Sequence, residues 1–177
     1  MDRRIYIVDS SVIIDYQLTK IEVLWMISEH MGRVLISSPI LAEVNGLCAE
    51  DCPGLGLEVL EPSLEDYFEV TRNRPPGLSD EDTMCLVLSK RLDGICLTND
   101  KALHKACQAE GVPSMWGLRP MLQLVEFCVL SPREALKIAH EIKSMNINIT
   151  DDVIDRFRLQ LSAISPTKRT PVAGQTM

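Results

Sequence analysis

Apolar positions along this chain follow two alternating rhythms. Short unbroken apolar runs, Ile5-Tyr6-Ile7-Val8, Val34-Leu35-Ile36 and Ile95-Cys96-Leu97, are too brief for helices and read as buried strands; a further strand is expected over Leu57–Leu60. Between them, apolar residues recur every third or fourth position, the spacing that puts one face of a helix into a core. Helices are predicted over 12–18, with Ser10 and Ser11 as caps, and over 21–31, where Ile21, Leu24, Trp25 and Ser28 share a face and Gly32 stops the helix. Pro39 opens another to about residue 49, with Glu43 in its first turns. Ser63 caps a helix to about residue 72, and Ser79 starts one to residue 92, ended by Gly94. Asp100 precedes a helix over 101–110, and Gly111-Val112-Pro113 leads to a last short strand near Met115 and Trp116. Cys52-Pro53-Gly54 and Arg74-Pro75-Pro76-Gly77 are the breakers between elements.

Strands alternating with helices predict an α/β fold, a parallel sheet covered by helices on both faces. In such sheets ligands bind in the crevice beyond the carboxyl ends of the strands. Asp9 directly follows the first apolar run, and Asp100 follows Thr98 and Asn99 at the end of the run at 95–97. Their shared position makes convergence of the two carboxylates an expectation.

After Trp116 the strands stop. Amphipathic helices are predicted over 118–130, from the Ser131-Pro132-Arg133-Glu134 capping signal to residue 144, and from Thr150-Asp151-Asp152 to residue 164. The chain therefore divides into a core at 1–116, a helical extension at 117–164, and a polar tail at 165–177 that is expected to be disordered. The extension is expected to pack on the core and complete it, with a dimer or partner surface as the alternative.

The size, 177 residues with 46% hydrophobic and 24% charged, suits one globular domain with an appendage. No apolar run approaches the ~20 residues that span a bilayer, and Met-Asp-Arg-Arg before a four-residue run is too short and acidic for a signal peptide. A soluble cytoplasmic protein with no membrane contact is the expectation. Six scattered cysteines and three histidines, at 30, 104 and 140, complete no zinc spacing, so free thiols are expected. The net charge of −7 argues against a broad phosphate-binding surface and for a basic protein partner. It leaves room for a local basic rim drawn from Arg72, Arg74, Lys101, Lys105 and Arg119.

Four acidic stations stand at the ends of the apolar runs: Asp9 in IYIVDSS, Glu43 in SSPILAEV, Asp82 in LSDED and Asp100 in ICLTND. Each has a plain structural explanation, as a helix cap, a first-turn acid or a solvated side chain. Together they would repel one another unless a divalent cation neutralised them.

With these contexts in order, the chain resembles the PIN-domain nucleases, especially the VapC-type toxins of toxin–antitoxin modules. The motifs are IYIVDSSVII, SSPILAEV, LSDED opening a helix, and ICLTNDKAL, spread over residues 3–116; Asp82 and Asp100 stand one helix, one turn and one strand apart. The resemblance implies a PIN-like three-layer α/β/α fold around a mostly parallel sheet, with the C-terminal helices outside the minimal core. It implies that Asp9, Glu43, Asp82 and Asp100 are catalytic and hold one or two Mg²⁺ or Mn²⁺ ions, which activate water for phosphodiester hydrolysis. Ser11 matches the small polar residue beside the first Asp, and Thr98 and Asn99 are expected to help orient acids or metal-bound water. Asp80 is the alternative to Asp82, and Glu81 is expected to face solvent. The implied function is an endoribonuclease, the toxin of a toxin–antitoxin pair, with RNA as substrate, an antitoxin as partner and a homodimer as the assembly. Two rivals stand beside it. One is a non-catalytic PIN-like scaffold that binds RNA or a protein. The other is a haloacid-dehalogenase-type phosphatase, which would want an acid two residues after Asp9, where Ser11 stands.

Overall fold

A computed structural model describes residues 4–164. The tail expected to be disordered, 165–177, lies outside the described residues. The order of elements is β1 (Arg4–Val8), α1 (Ser10–Gln17), α2 (Glu22–His30), β2 (Gly32–Ser37), α3 (Ser38–Leu41), β3 (Leu57–Leu60), α4 (Leu64–Asn73), α5 (Asp80–Arg91), β4 (Ile95–Leu97), α6 (Lys101–Ala109), β5 (Ser114–Met115), α7 (Arg119–Glu126), α8 (Pro132–Met145) and α9 (Asp151–Ala163). A 3₁₀ turn over Cys52–Leu55 precedes β3.

The five strands form one sheet in the order β3-β2-β1-β4-β5, every neighbouring pair parallel. Tyr6, Ile7 and Val8 of β1 are fully buried, as are Cys96 and Leu97 of β4, which is why these runs carry no polar alternation. The chain moves outward from β1 to β2 and β3, then crosses back to β4 on the other side of β1. That reversal makes the carboxyl ends of β1 and β4 a topological switch point, where an α/β sheet opens a crevice. Asp9 N–H donates to the Leu97 carbonyl at 3.0 Å and ties the two ends together.

Helices cover both faces. α1 and α2 pack together, with α7 against α2 and α8 against α1; α4, α5 and α6 form a second group, with α5 against β1 and β4. The helices after residue 117 thus add a layer beyond α1 and α2. Leu124, Ile138, Ile142 and Phe157 belong to the same buried cluster as Ile7 and Leu97. No helix among the described residues is long and apolar enough to cross a membrane. All six cysteines are free: Cys52, Cys85, Cys96 and Cys107 are buried, Cys48 and Cys128 exposed.

Several expected boundaries move, each for a local reason. The helix expected over 12–18 begins at Ser10, so the two serines lie in its first turn and Asp9 takes the N-cap position. The helix expected over 39–49 ends at Leu41. Beyond it the backbone closes tight turns instead, Glu43 N–H to Ile40 O and Val44 N–H to Leu41 O, and Gly46 adopts a left-handed φ of 76°. Gln17 of α1 satisfies the carbonyl of Asn45 at 3.0 Å, one of the groups that the break releases. Glu43 accordingly sits on a turn, not in a helix. The helix expected over 118–130 stops at Glu126, just before Cys128 turns left-handed at φ 58°. Gly32 is the first residue of β2, where a Cβ would run into the Arg4 carbonyl oxygen of β1.

Candidate active site

Asp9 is placed by the end of β1 and is only 5% exposed. Although it occupies the N-cap position of α1, its carboxylate makes no capping bond. Two hydroxyls hold it instead: Ser11 Oγ donates to Oδ2 at 2.6 Å and Thr98 Oγ1 donates to the same oxygen at 2.9 Å. Oδ1 has the Ser10 hydroxyl at 3.5 Å, and the Ser10 N–H also acts on the carboxylate. Oδ2 is therefore the more firmly held of the two oxygens. Burial raises the pKa of Asp9; the Ser11 and Thr98 hydroxyls oppose that rise, and the Asp82 charge adds to it.

Asp82 arrives on the first turn of α5. Ser79 and Asp82 form a reciprocal capping box, in which Asp82 N–H donates to Ser79 Oγ at 2.9 Å and Asp82 Oδ2 accepts from Ser79 N–H at 3.1 Å. Of the neighbouring acids, Asp80 is exposed and pairs with Arg74 at 3.0 Å. Glu81, expected to face solvent, is half-buried, and its charge acts on Glu43. Glu43 is exposed; desolvation raises its pKa, the Ser10 side chain opposes the rise, and the charges of Glu81, Asp9 and Asp82 add to it. Asp9, Glu43, Glu81 and Asp82 thus form one field of negative charge, assembled from a strand end, a turn and a helix start.

Asp100 stands apart from that field. It is exposed at the N-cap of α6, where Oδ1 accepts from Leu103 N–H at 2.7 Å, and its own N–H donates to Thr98 Oγ1 at 3.0 Å. Its charge is felt by His104, whose pKa burial nonetheless lowers. Thr98 is the link: its hydroxyl joins the two strand-end acids through one donor and one acceptor bond.

Among the described residues no Lys or Arg lies within ion-pair distance of Asp9, Glu43, Asp82 or Asp100. Hard carboxylate oxygens without a counter-charge are a donor set that suits Mg²⁺ or Mn²⁺. Yet among the described residues no three His, Cys, Asp or Glu side chains stand close enough to enclose an ion. The acids are near enough to feel one another's charge but do not form a closed shell.

Asn99 faces elsewhere. Its Nδ2 donates to Asp15 Oδ2 at 2.8 Å, and its Oδ1 accepts from Gly117 N–H at 2.9 Å. Asn146, the C-cap of α8, donates to both oxygens of Asp15, at 2.9 and 3.0 Å. Tyr16 closes the cluster by donating to the Gly117 carbonyl at 2.5 Å. This buried clamp joins α1, the end of β4, the start of the helical extension and the end of α8. Sequence reasoning passed over Asp15, although it lies on the buried stripe of α1 with Val12 and Tyr16, where an acid is out of place.

Neither a known protein-family model nor any curated protein matches this chain.

Proposed function

We propose that this chain is a PIN-like, Mg²⁺- or Mn²⁺-dependent endoribonuclease and the toxin of a toxin–antitoxin pair. The observation that carries the reading is the state of Asp9: buried at the switch point, with one oxygen held by two hydroxyls, no cation paired with it among the described residues, and the like charge of Asp82 acting on it. Such a carboxylate is costly without a cation. Asp9, Glu43 and Asp82 would hold the ion, with Asp100 across the end of β4. The bound ion supplies a lowered pKa for its water and charge neutralisation at the scissile phosphate. Ser11 and Thr98 would fix the Asp9 carboxylate through Oδ2. The antitoxin partner and the homodimer rest on the four sequence motifs alone.

A second reading is a non-catalytic PIN-like scaffold that binds RNA or a protein, favoured by the absence of a closed donor shell among the described residues. RNA cleavage by the purified chain, with Mg²⁺, with Mn²⁺ and with EDTA, separates the two. Metal-dependent cleavage that Asp82→Asn abolishes supports the nuclease; intact RNA with both metals leaves the scaffold.

A further inference from the structure

Trp116, just past β5, stands 47% exposed between two hollows. One, of ≈ 590 Å³, runs from Asn99 and Asp100 past Leu118 and Arg119 to Arg156 and Phe157 of α9. The other, of ≈ 550 Å³, lies between α6 and β5, against Lys101, His104 and Lys105. Trp116 and Lys101 line both.

The indole is braced from one side. The His104 ring lies against it, centroids 3.7 Å apart at 36°. His104 is itself fixed: Nε2 meets the Thr98 carbonyl at 3.1 Å and Nδ1 meets Ser114 Oγ at 2.8 Å. A carbonyl can only accept, so Nε2 carries the proton and Nδ1 accepts from the serine in the neutral ring. Thr98 in turn holds Asp9, so the aromatic platform and the candidate active site share a residue.

The cations around Trp116 are clustered and, among the described residues, unpaired. Lys101, Lys105, Arg119 and Arg156 form no ion pair among the described residues, whereas Arg33, Arg74, Lys90 and Arg158 elsewhere each meet an acid. In a protein of net charge −7, four uncommitted cations gather around one exposed indole. Two acids also line the larger hollow: Asp100, bound to the start of α6, and the exposed Asp152. Asn148 and Gln160 add neutral amides to its wall. An exposed aromatic face beside cations is the pattern that holds single-stranded nucleic acid, by stacking a base and neutralising its phosphates.

We propose that the groove around Trp116 binds one or two nucleotides of single-stranded RNA, a base stacked on the indole and the phosphates on Lys101, Arg119 and Arg156. The choice of RNA rests on the ribonuclease reading. The groove begins at Asn99 and Asp100, so RNA lying in it passes the carboxyl end of β4, and α9 becomes part of the substrate surface.

The test is binding of a short unstructured oligoribonucleotide to the full chain in EDTA, where metal-dependent cleavage plays no part. With Trp25→Phe as background, Trp116 emission is expected to quench saturably. Measured by anisotropy of a labelled oligonucleotide, Trp116→Ala is expected to weaken binding about tenfold and Trp116→Phe to restore most of it. Arg156→Ala, an exposed change, is expected to lower the slope of log affinity against log salt by about one. Absence of binding, or wild-type binding by both Trp116→Ala and Arg156→Ala, overturns the proposal. Quenching by an acidic peptide such as polyglutamate but not by the oligonucleotide also overturns it, in favour of an acidic protein partner. Cleavage is scored separately with Mn²⁺: binding without cleavage removes the ribonuclease and keeps the groove, and cleavage with unaltered binding in the variants does the reverse.

Discussion

Thr98 reaches from the end of β4 to donate its hydroxyl to Asp9 Oδ2 at the end of β1, across 2.9 Å. The same oxygen atom of Thr98 accepts the Asp100 N–H at 3.0 Å. Thr98→Val keeps the shape and removes both bonds at a fully buried position. A loss of about 1–3 kcal/mol in urea denaturation is expected, the usual result of leaving buried polar groups unmatched. The variant also removes one of the interactions that lower the pKa of Asp9. A divalent ion needs the ionised acid, so the acid limb of the metal-dependent cleavage profile is expected to move to higher pH. An unmoved limb would show that Asp9 does not set it.

Asp9→Asn separates stability from activity. Burial holds the folded pKa of Asp9 above its ordinary 3.8, so the native state binds this proton more tightly than the unfolded chain. Stability contributed by this group is therefore lost as pH rises from 3.8 through the folded value. Asparagine carries no charge at any pH and escapes that loss. Metal-free Asp9→Asn is expected to melt above wild type at pH 7, with the advantage shrinking toward pH 4, while cleavage disappears. Melting curves at both pH values check it, and a lower melting temperature at pH 7 would refute it.

A divalent ion that binds only the native state should raise its melting temperature. At a hundredfold excess over its Kd the gain is about 2.7 kcal/mol, roughly 5–10 °C for a chain of this size. Asp82→Asn is expected to remove most of that shift and to leave the capping bond of its N–H to Ser79 Oγ in place. Differential scanning fluorimetry with Mn²⁺ reads both. A shift of equal size in the variant would take Asp82 out of the ligand set and return attention to Asp80 or Glu81.

How far sequence reached depended on the range of the physics involved. β1, β2 and β4 appear where the apolar runs stand, because strands buried on both faces must be apolar throughout. The capping boxes at Ser63 and Ser79 formed as their local spacing dictates. The 39–49 helix failed on a tertiary matter: the Asn45-Gly46 turn is stabilised by Gln17 from another helix. Strand ends predicted that the Asp9 and Asp100 carboxylates converge; Thr98 bonds the Asp9 carboxylate and the Asp100 N–H, whereas the Asp100 carboxylate caps α6. Electrostatics nevertheless couples Asp9 to Asp82 and Glu43, and no strand-end argument reveals that grouping. Asn99 was expected beside the acids; the partners that turn it away, Asp15 and Gly117, are defined only once the chain has folded.

Asp15 provides the strictest test of the buried clamp. It is 7% exposed, and its partners Asn99 and Asn146 lie 84 and 131 residues away in the chain. Burial raises its pKa, opposed first by Asn146 and then by Asn99. A raised acid again means stability lost as pH climbs from 3.8 through the folded value. Asn146→Ala deletes the larger of the two opposing interactions, so the folded pKa rises further and the loss extends to higher pH. At pH 7.5 the variant is expected to lose about 1.5–3 kcal/mol, the range for hydrogen bonds to a charged group. At pH 4, close to the ordinary carboxylate value of 3.8, the loss should be smaller. Urea denaturation at the two pH values measures the difference. An equal loss at both would mean that Asp15 stays neutral in the native protein, and that the α8 cap contributes packing and not charge stabilisation. A loss confined to high pH would make the helical extension part of the electrostatic support of the core, since Asn146 reaches Asp15 only if α8 is docked on α1.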